Sequence, residues 1–247
     1  VAMNEVCLSQ AVFLTNYLSF VAPGQYKAHF NNAFPAGGAP GGGCAYGNVS
    51  GFGNFIAVRS NSPAWVAGGI LNGTTATLPI EYKTWACMDG GYVAPRFTAC
   101  TTHYWPKYIW AGFACNTIKW TRDSVMNPYY ARYGRLALIG DIYLTRTPYN
   151  GSIGSGSPDG TIDGCSPPGL LTWWKSNFAS YGGNPSYNLG TLLSTSGPQV
   201  DHVIVDGGRS YNNGPGWVYS RSSCPQGTTF EQCNLTDHLV VYANPNL

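Results

Sequence analysis

The sequence predicts an all-β protein, an elaborated antiparallel β-sandwich with long loops and one short helix. Three observations carry this. Only 10% of the 247 residues are Asp, Glu, Lys or Arg, against roughly 25% in ordinary soluble domains, so the charged surface that amphipathic helices present is scarce. Aromatic residues make up 14% of the chain and stand among 32 glycines and 17 prolines, a strand-and-turn composition. Short β-branched and aromatic runs, bounded by Gly, Asn and Pro, recur along the sequence. A β-barrel is the alternative closure of the same strands. No repeat period and no linker divides the chain, so residues 1–247 read as one domain.

The elements follow in order. Residues 5–20 carry apolar positions at both helical and strand-like spacings and read as a strand or short helix ending at Ala22-Pro23-Gly24. Residues 31–54 form a Gly-rich loop that contains Cys44, long enough to be functional or mobile. Phe55 to Arg59 and Ala64 to Leu71 read as strands, and Asn72-Gly73 is a hairpin turn leading into a strand from Thr74 to Trp85. Pro79 places that strand at an edge or bulge. Strands are expected from Tyr108 to Phe113 and from Thr117 to Thr121, and Arg135 to Thr145 is the clearest core strand, with a bulge invited at Gly140-Asp141. A second polar loop follows, then Leu170 to Ser180 as the best helix and Leu239 to Tyr242 as the last strand.

Thirteen basic and eleven acidic residues leave a net charge of +2, without runs. No basic stripe meets a phosphate backbone, so nucleic acid is not expected as a partner. No apolar run reaches the roughly 18 residues that span a bilayer, so membrane insertion is not expected either. Eight cysteines stand at 7, 44, 87, 100, 115, 165, 224 and 233, and none forms a C-x-x-C pair. An even number without metal spacing predicts four disulfides and export through an oxidising compartment. Cys224 and Cys233 are expected to close a local hairpin and Cys7 to join Cys44, while Cys87, Cys100, Cys115 and Cys165 leave three pairings open.

Motifs for chemistry are sparse. His29, His103, His202 and His238 stand alone, without H-x-H or H-E-x-x-H, and read as ordinary surface or partly buried histidines. No nucleophile elbow, nucleotide-binding glycine motif or calcium-loop spacing is present, so no metal or cofactor is expected. Asp89, Asp141, Asp159, Asp163, Asp206 and Glu81 are the acids from which a glycosidase carboxylate pair would be drawn.

The stretch from Asp201 to Arg221 is the strongest candidate for recognition. Strand-like flanks, His202 to Val205 and Trp217 to Ser220, hold a loop containing Asp206, Arg209, Tyr211, Asn212 and Asn213 between glycines. Fixed donors and acceptors beside flat aromatic faces suit a polyhydroxylated ligand. The candidate ligand-binding residues are therefore Asp206, Arg209, Tyr211, Asn212, Asn213 and Trp217, joined by Tyr104 and Trp105. The alternative is that the loop's polar residues serve only its own turns.

Residues 138–157, LIGDIYLTRTPYNGSIGSGS, and the tail VVYANPNL resemble the lectin domains of chaperone–usher fimbrial tip adhesins. The resemblance covers some thirty residues, and no binding residue of that family is carried over to this chain. It implies an immunoglobulin-like sandwich, export to the cell surface at a pilus tip, and a glycan-binding loop cluster. It also implies pilus subunits as partners through a second domain that this sequence does not contain. The expected function is thus a secreted, non-enzymatic binding module for a glycan or glycoprotein receptor. The alternative is a secreted glycoside hydrolase.

Overall fold

In the computed structural model the described residues are 1–33, 51–61, 64, 66–71, 83–92, 95–104, 120–141, 201–205, 217–218 and 241–242. The chain opens on β1 (Ala2–Cys7) and passes directly into α1 (Leu8–Val21). The Gln10 side-chain oxygen accepts from the Cys7 N–H at 2.8 Å, satisfying one donor at the helix start. The helix stops at Ala22, where Pro23 cannot continue it. β2 (Tyr26–Asn32) and β3 (Phe52–Arg59) complete an antiparallel sheet in the order β1-β3-β2.

β3 is the middle strand and is buried on both faces. Phe55 and Ala57 pack with Val6 and Ala11 under α1, joined by Met3, Leu14, Leu18, Ala28 and Phe30. On the other face Ile56 and Val58 pack against Ala86, Met88 and Ala99 of a second sheet. Between Met3 and Val6 the pairing of β1 with β3 shifts by one residue. This bulge lets Met3 and Val6, at odd spacing, both serve the helix side.

The second sheet has five strands: β4 (Val66–Ile70), β5 (Thr84–Gly90), β6 (Phe97–His103), β7 (Leu136–Asp141) and β8 (Asp201–Val205), in that order. β6 and β7 run parallel while the other neighbours are antiparallel. A parallel neighbour needs a crossover, and the helical segment between them supplies it: a π-helical turn, Arg122–Met126, runs into α2 (Asn127–Tyr133). Gly134 ends α2 in the left-handed conformation (φ 64°), and its N–H bonds to the Tyr130 carbonyl. Two further short strands, β9 (Trp217–Val218) and β10 (Val241–Tyr242), pair with each other.

α2 is fastened to the outer face of the five-stranded sheet. Arg132 and Tyr133 donate to one carboxylate oxygen of Asp89, at 2.6 and 3.0 Å. Thr98 reaches both the other Asp89 oxygen and the Tyr129 carbonyl. Cys87 and Cys100 face each other across β5 and β6 and form a disulfide, with Cα atoms 4.0 Å apart. Of the three pairings left open by sequence, those with Cys87 bound to Cys115 or Cys165 are excluded. Cys7 is also disulfide-bonded, to a partner outside the described residues.

The layers therefore run helix, sheet, sheet, helix, and the expected all-β, immunoglobulin-like sandwich is corrected. Residues 8–21 form a full helix, Trp120 and Thr121 are helical instead of closing a strand, and a parallel pair lies inside the main sheet. The expectations for residues 34–50, the Asn72-Gly73 turn, the helix at 170–180 and Cys224 with Cys233 fall outside the described residues.

Asp89→Ala leaves Arg132 and Tyr133 without their shared acceptor and should cost about 2–4 kcal/mol in urea unfolding. Alanine at Asp123, whose exposed pair with Arg122 spans 2.7 Å, should cost under about 1 kcal/mol. Burial lowers the pKa of His29 on β2, so the unfolded chain takes up that proton first. Stability from this group is present above the ordinary histidine range and is lost as pH falls below about 6.5. His29→Gln should flatten that part of a stability-versus-pH curve.

Candidate functional site

Side chains two residues apart on a strand share a face, and this periodicity builds the site. The faces that bury Ile56, Ala86 and Ala99 between the sheets continue, towards one end, as Asn54 on β3, Thr84 on β5, and Thr101 and His103 on β6. At that end the apolar interlayer becomes polar. Asn54 is buried and donates to both the carbonyl and the hydroxyl of Thr84, each at 2.9 Å, while accepting from Asn4 at 2.8 Å. The Thr102 hydroxyl also donates to the Thr84 carbonyl, at 3.2 Å. On the neighbouring strand Asn31 donates to the Trp85 carbonyl at 2.7 Å.

Asn4 sits in the β1 bulge and reaches Thr101 across the interlayer. A side chain added at Gly140 would run into the Thr102 carbonyl and lie 3.0 Å from the Asn4 carboxamide oxygen. Glycine at 140 is thus required for Asn4 and β7 to approach. A bulge that re-aims a polar side chain beside a sheet end is a common device at active sites.

His103 closes β6 and Asp141 closes the parallel strand β7. Their Cα positions are in register, and Asp201, the first residue of β8, is in register with Asp141. The row His103–Asp141–Asp201 therefore crosses three strands at the carboxyl end of the parallel pair, where open α/β sheets bind their ligands. His202 is in register with Gly140, next to this row. Lys83, just before β5, is 3% exposed, and its ammonium lies 3.1 Å from Nδ1 and 3.3 Å from Nε2 of His103. Among the described residues no three His, Cys, Asp or Glu gather as a metal-binding group.

Of the residues expected from sequence to bind ligand, Tyr104 and Trp217 are among the described residues. Tyr104 follows His103 but is buried; its hydroxyl sits beside Thr121 without a well-formed hydrogen bond, and burial raises its pKa. Trp217 lies on β9, opposite Tyr242. Trp105, Asp206, Arg209, Tyr211, Asn212 and Asn213 are outside the described residues. Val205, which precedes Asp206, is in register with Ala137, four residues along β7 from Asp141. Val205, the last residue of β8, therefore stands at the end of the sheet away from the polar row. Lys83, Asn4, Asn54 and Thr84 carried no motif; Asp141 entered only as one of six acids, and His103 as an ordinary histidine. The signal that marks the latter two is position, since each is the polar last residue of its strand.

No protein-family profile and no curated protein sequence matches the chain. Solved structures match almost all of it. One is ANGEL2, a 2',3'-cyclic phosphatase in complex with adenosine-2',3'-vanadate: 12% identity, TM-score 0.60, 98% of this chain and 80% of that one. The catalytic domain of human Nocturnin with a bound sulfate anion shares 11% identity at TM-score 0.58, over 99% and 79%. An endonuclease/exonuclease/phosphatase family protein from Leptotrichia buccalis shares 10% at TM-score 0.58, over 100% and 86%. The chain has the endonuclease/exonuclease/phosphatase fold. With that, the resemblance to fimbrial tip adhesins falls, because the lectin domain, pilus tip, glycan receptor and pilus partners all presupposed an immunoglobulin-like sandwich. Of residues 138–157, which carried the resemblance with the tail VVYANPNL, the described part, Leu138–Asp141, is the end of a strand paired in parallel with β6. The non-enzymatic expectation and the exclusion of nucleic acid are corrected as well, since proteins of this fold are named as nucleases and phosphatases. Nothing in these similarities favours the glycoside-hydrolase alternative.

Asn54→Leu removes three hydrogen bonds from the interlayer at similar volume. It should lower stability by about 1–3 kcal/mol, read by urea unfolding, and should loosen the Asn4–Thr84 end while leaving the Ile56 cluster intact by hydrogen exchange.

Proposed function

We propose that the chain is a phosphoester hydrolase acting on a nucleotide or nucleic-acid phosphate. The observation that carries this is the row His103–Asp141–Asp201 at the carboxyl end of the parallel strands, beside the buried Lys83 and the Asn4–Asn54–Thr84 network. The fold supports it, being shared with a protein named as a 2',3'-cyclic phosphatase.

Phosphoryl transfer asks a protein mainly for positioning and for charge placed against the phosphate oxygens. Lys83 provides a cation inside a site of low exposure, where electrostatic interactions are strong. A carboxylate of the Asp141–Asp201 pair orients the attacking water and takes its proton. His103 donates a hydrogen bond to the phosphate or to the leaving oxygen. Asn4, whose amide nitrogen donates to Asn54 and Thr101 and whose oxygen lies beside Gly140, fixes the spacing of β1, β6 and β7 at the same end. A single phosphate is recognised by this local set, so a net charge of only +2 is compatible with an anionic substrate. The Cys87–Cys100 disulfide supports export through an oxidising compartment, which would place the substrate outside the reducing cytosol.

The test is release of phosphate or cleavage of a phosphodiester, with and without added divalent cation, on 2',3'-cyclic AMP, a nucleoside monophosphate, single-stranded RNA and bis(p-nitrophenyl) phosphate. His103→Gln and Asp141→Asn should each lower kcat/KM at least about a hundredfold with the melting temperature nearly unchanged. Equal turnover in wild type and both variants would overturn the assignment of these residues.

A further inference from the structure

We infer that the outer side of helix α1 is a self-association surface, and that its partner is a second copy of this chain. Helix α1 packs on the three-stranded sheet through Ala11, Leu14 and Leu18, one stripe at 3.6 residues per turn. Phe13, Tyr17, Phe20 and Val21 form a second stripe at i, i+4, i+7 and i+8, on another side of the helix. It is turned to the outside: Phe13, Tyr17 and Phe20 are 66%, 54% and 83% exposed, and Val21 is half-exposed. The Phe13 and Tyr17 rings stack, with centroids 6.4 Å apart and planes 15° from parallel. A surface helix ordinarily has a single apolar stripe, and one that is apolar all round is ordinarily buried.

The size of the face fits a dimer. A whole aromatic side chain covers about 150–250 Å², so at these exposures the three rings present roughly 300–500 Å². Val12, Val21, Ser9 and Asn16 are exposed around them. The face therefore approaches about 600 Å² per partner, the lower end of what a specific interface buries. Ser9 and Asn16 supply the uncharged polar rim that such interfaces have around an aromatic centre.

Charge selects the partner. A two-fold contact sets one patch against itself, so any charge on it meets its own sign. Helix α1, LSQAVFLTNYLSFV, carries no Asp, Glu, Lys or Arg, and its outer side is self-complementary for that reason. A lipid surface would draw in an apolar helix face through basic residues beside it, and α1 has none. The hydroxyls are also prepared for burial. Thr15 donates to the Ala11 carbonyl at 2.8 Å and Ser19 to the Thr15 carbonyl at 2.9 Å, so neither donor is stranded when water leaves. The three-stranded sheet lies between α1 and the five-stranded sheet that carries the His103–Asp141–Asp201 row. The contact is thus separate from the phosphoester site, and association is measured without any substrate.

The experiment is sedimentation velocity on the whole chain from about 1 to about 300 μM, a range set for an interface at the small end of the size scale. Wild type should pass from monomer to dimer within it. Raising the salt severalfold should not weaken the dimer, because no ion pair holds it. The double variant Phe13→Ser/Phe20→Ser should raise the dissociation constant at least about thirtyfold with an unchanged circular dichroism spectrum. Tyr17→Ser should act in the same direction, and it carries the comparison if the double variant does not fold. Val66→Ser, on the exposed edge strand β4, should leave the dimer intact. A wild type that stays monomeric throughout overturns the inference, including one that sediments with phosphatidylcholine vesicles. A dimer that withstands both α1 variants overturns it, as does one broken by Val66→Ser alone. Failure of both α1 variants to fold assigns the rings to the monomer's own packing and overturns it too.

Discussion

The double burial of β3 is the constraint on which the rest depends. A strand with Phe55 and Ala57 under a helix and Ile56 and Val58 against another sheet has no face left for water. Helix α1 must lie on one side of it and the five-stranded sheet on the other, which fixes three of the four layers. The fourth follows because β6 and β7 run parallel and the chain must cross over between them. At one end β3 is tied by its Arg59 carbonyl, which accepts from Gly91 beyond β5. At the other it carries Asn54, and there the same burial compels polar pairing.

That pairing converts a packing problem into a site. A buried carboxamide without partners is costly, and Asn54 avoids the cost by binding Asn4 on one side and both polar atoms of Thr84 on the other. Asn4, Asn54 and Thr84 belong to three strands in two sheets, so the network locks the sheets against sliding at the end where His103, Asp141 and Asp201 line up. Pre-organisation of this kind lets a polar site act without reorganising during the reaction. The far end is closed differently, by Asp89 gripping α2, and serves stability.

Parts of this were legible in the sequence and parts were not, for physical reasons. β3, β4 and β7 announce themselves because they are apolar or β-branched over most of their length. Helix α1 does not, because it is apolar almost all round: Leu14 and Leu18 pack inwards while Phe13 and Phe20 stand 66% and 83% exposed, which blurs helical and strand periods. β5 and β6, TWACMDG and FTACTTH, are strands of Ala, Cys and Thr whose polar positions look like loop. Helix α2 hides behind Asn-Pro and four tyrosine or arginine residues with little charge pattern. Parallel pairing of β6 with β7 joins segments over thirty residues apart and leaves no local mark. The ends of those two strands were readable in principle, as Thr-His and Gly-Asp after alternating runs, yet a lone histidine and a lone aspartate acquire meaning only once the strands are adjacent.

The placement of Cys87 and Cys100, joined as a disulfide, relates to the site more closely than their number suggests. Cys87 lies four residues beyond Lys83, and Cys100 lies three before His103. The bond between them joins β5 to β6, the two strands whose ends bring the ammonium and the imidazole together. β5 and β6 have few bulky side chains to fix their separation, and backbone hydrogen bonds alone allow strand ends to fray. A covalent link one turn of the pleat away restricts that fraying at the position where a shift of an ångström would part Lys83 from His103. The outer face gains the disulfide and the inner face keeps Ala86, Met88 and Ala99 for the core. The small, sulfur-bearing composition that hid these strands from sequence reading is thus the composition that lets them carry a rigid polar end.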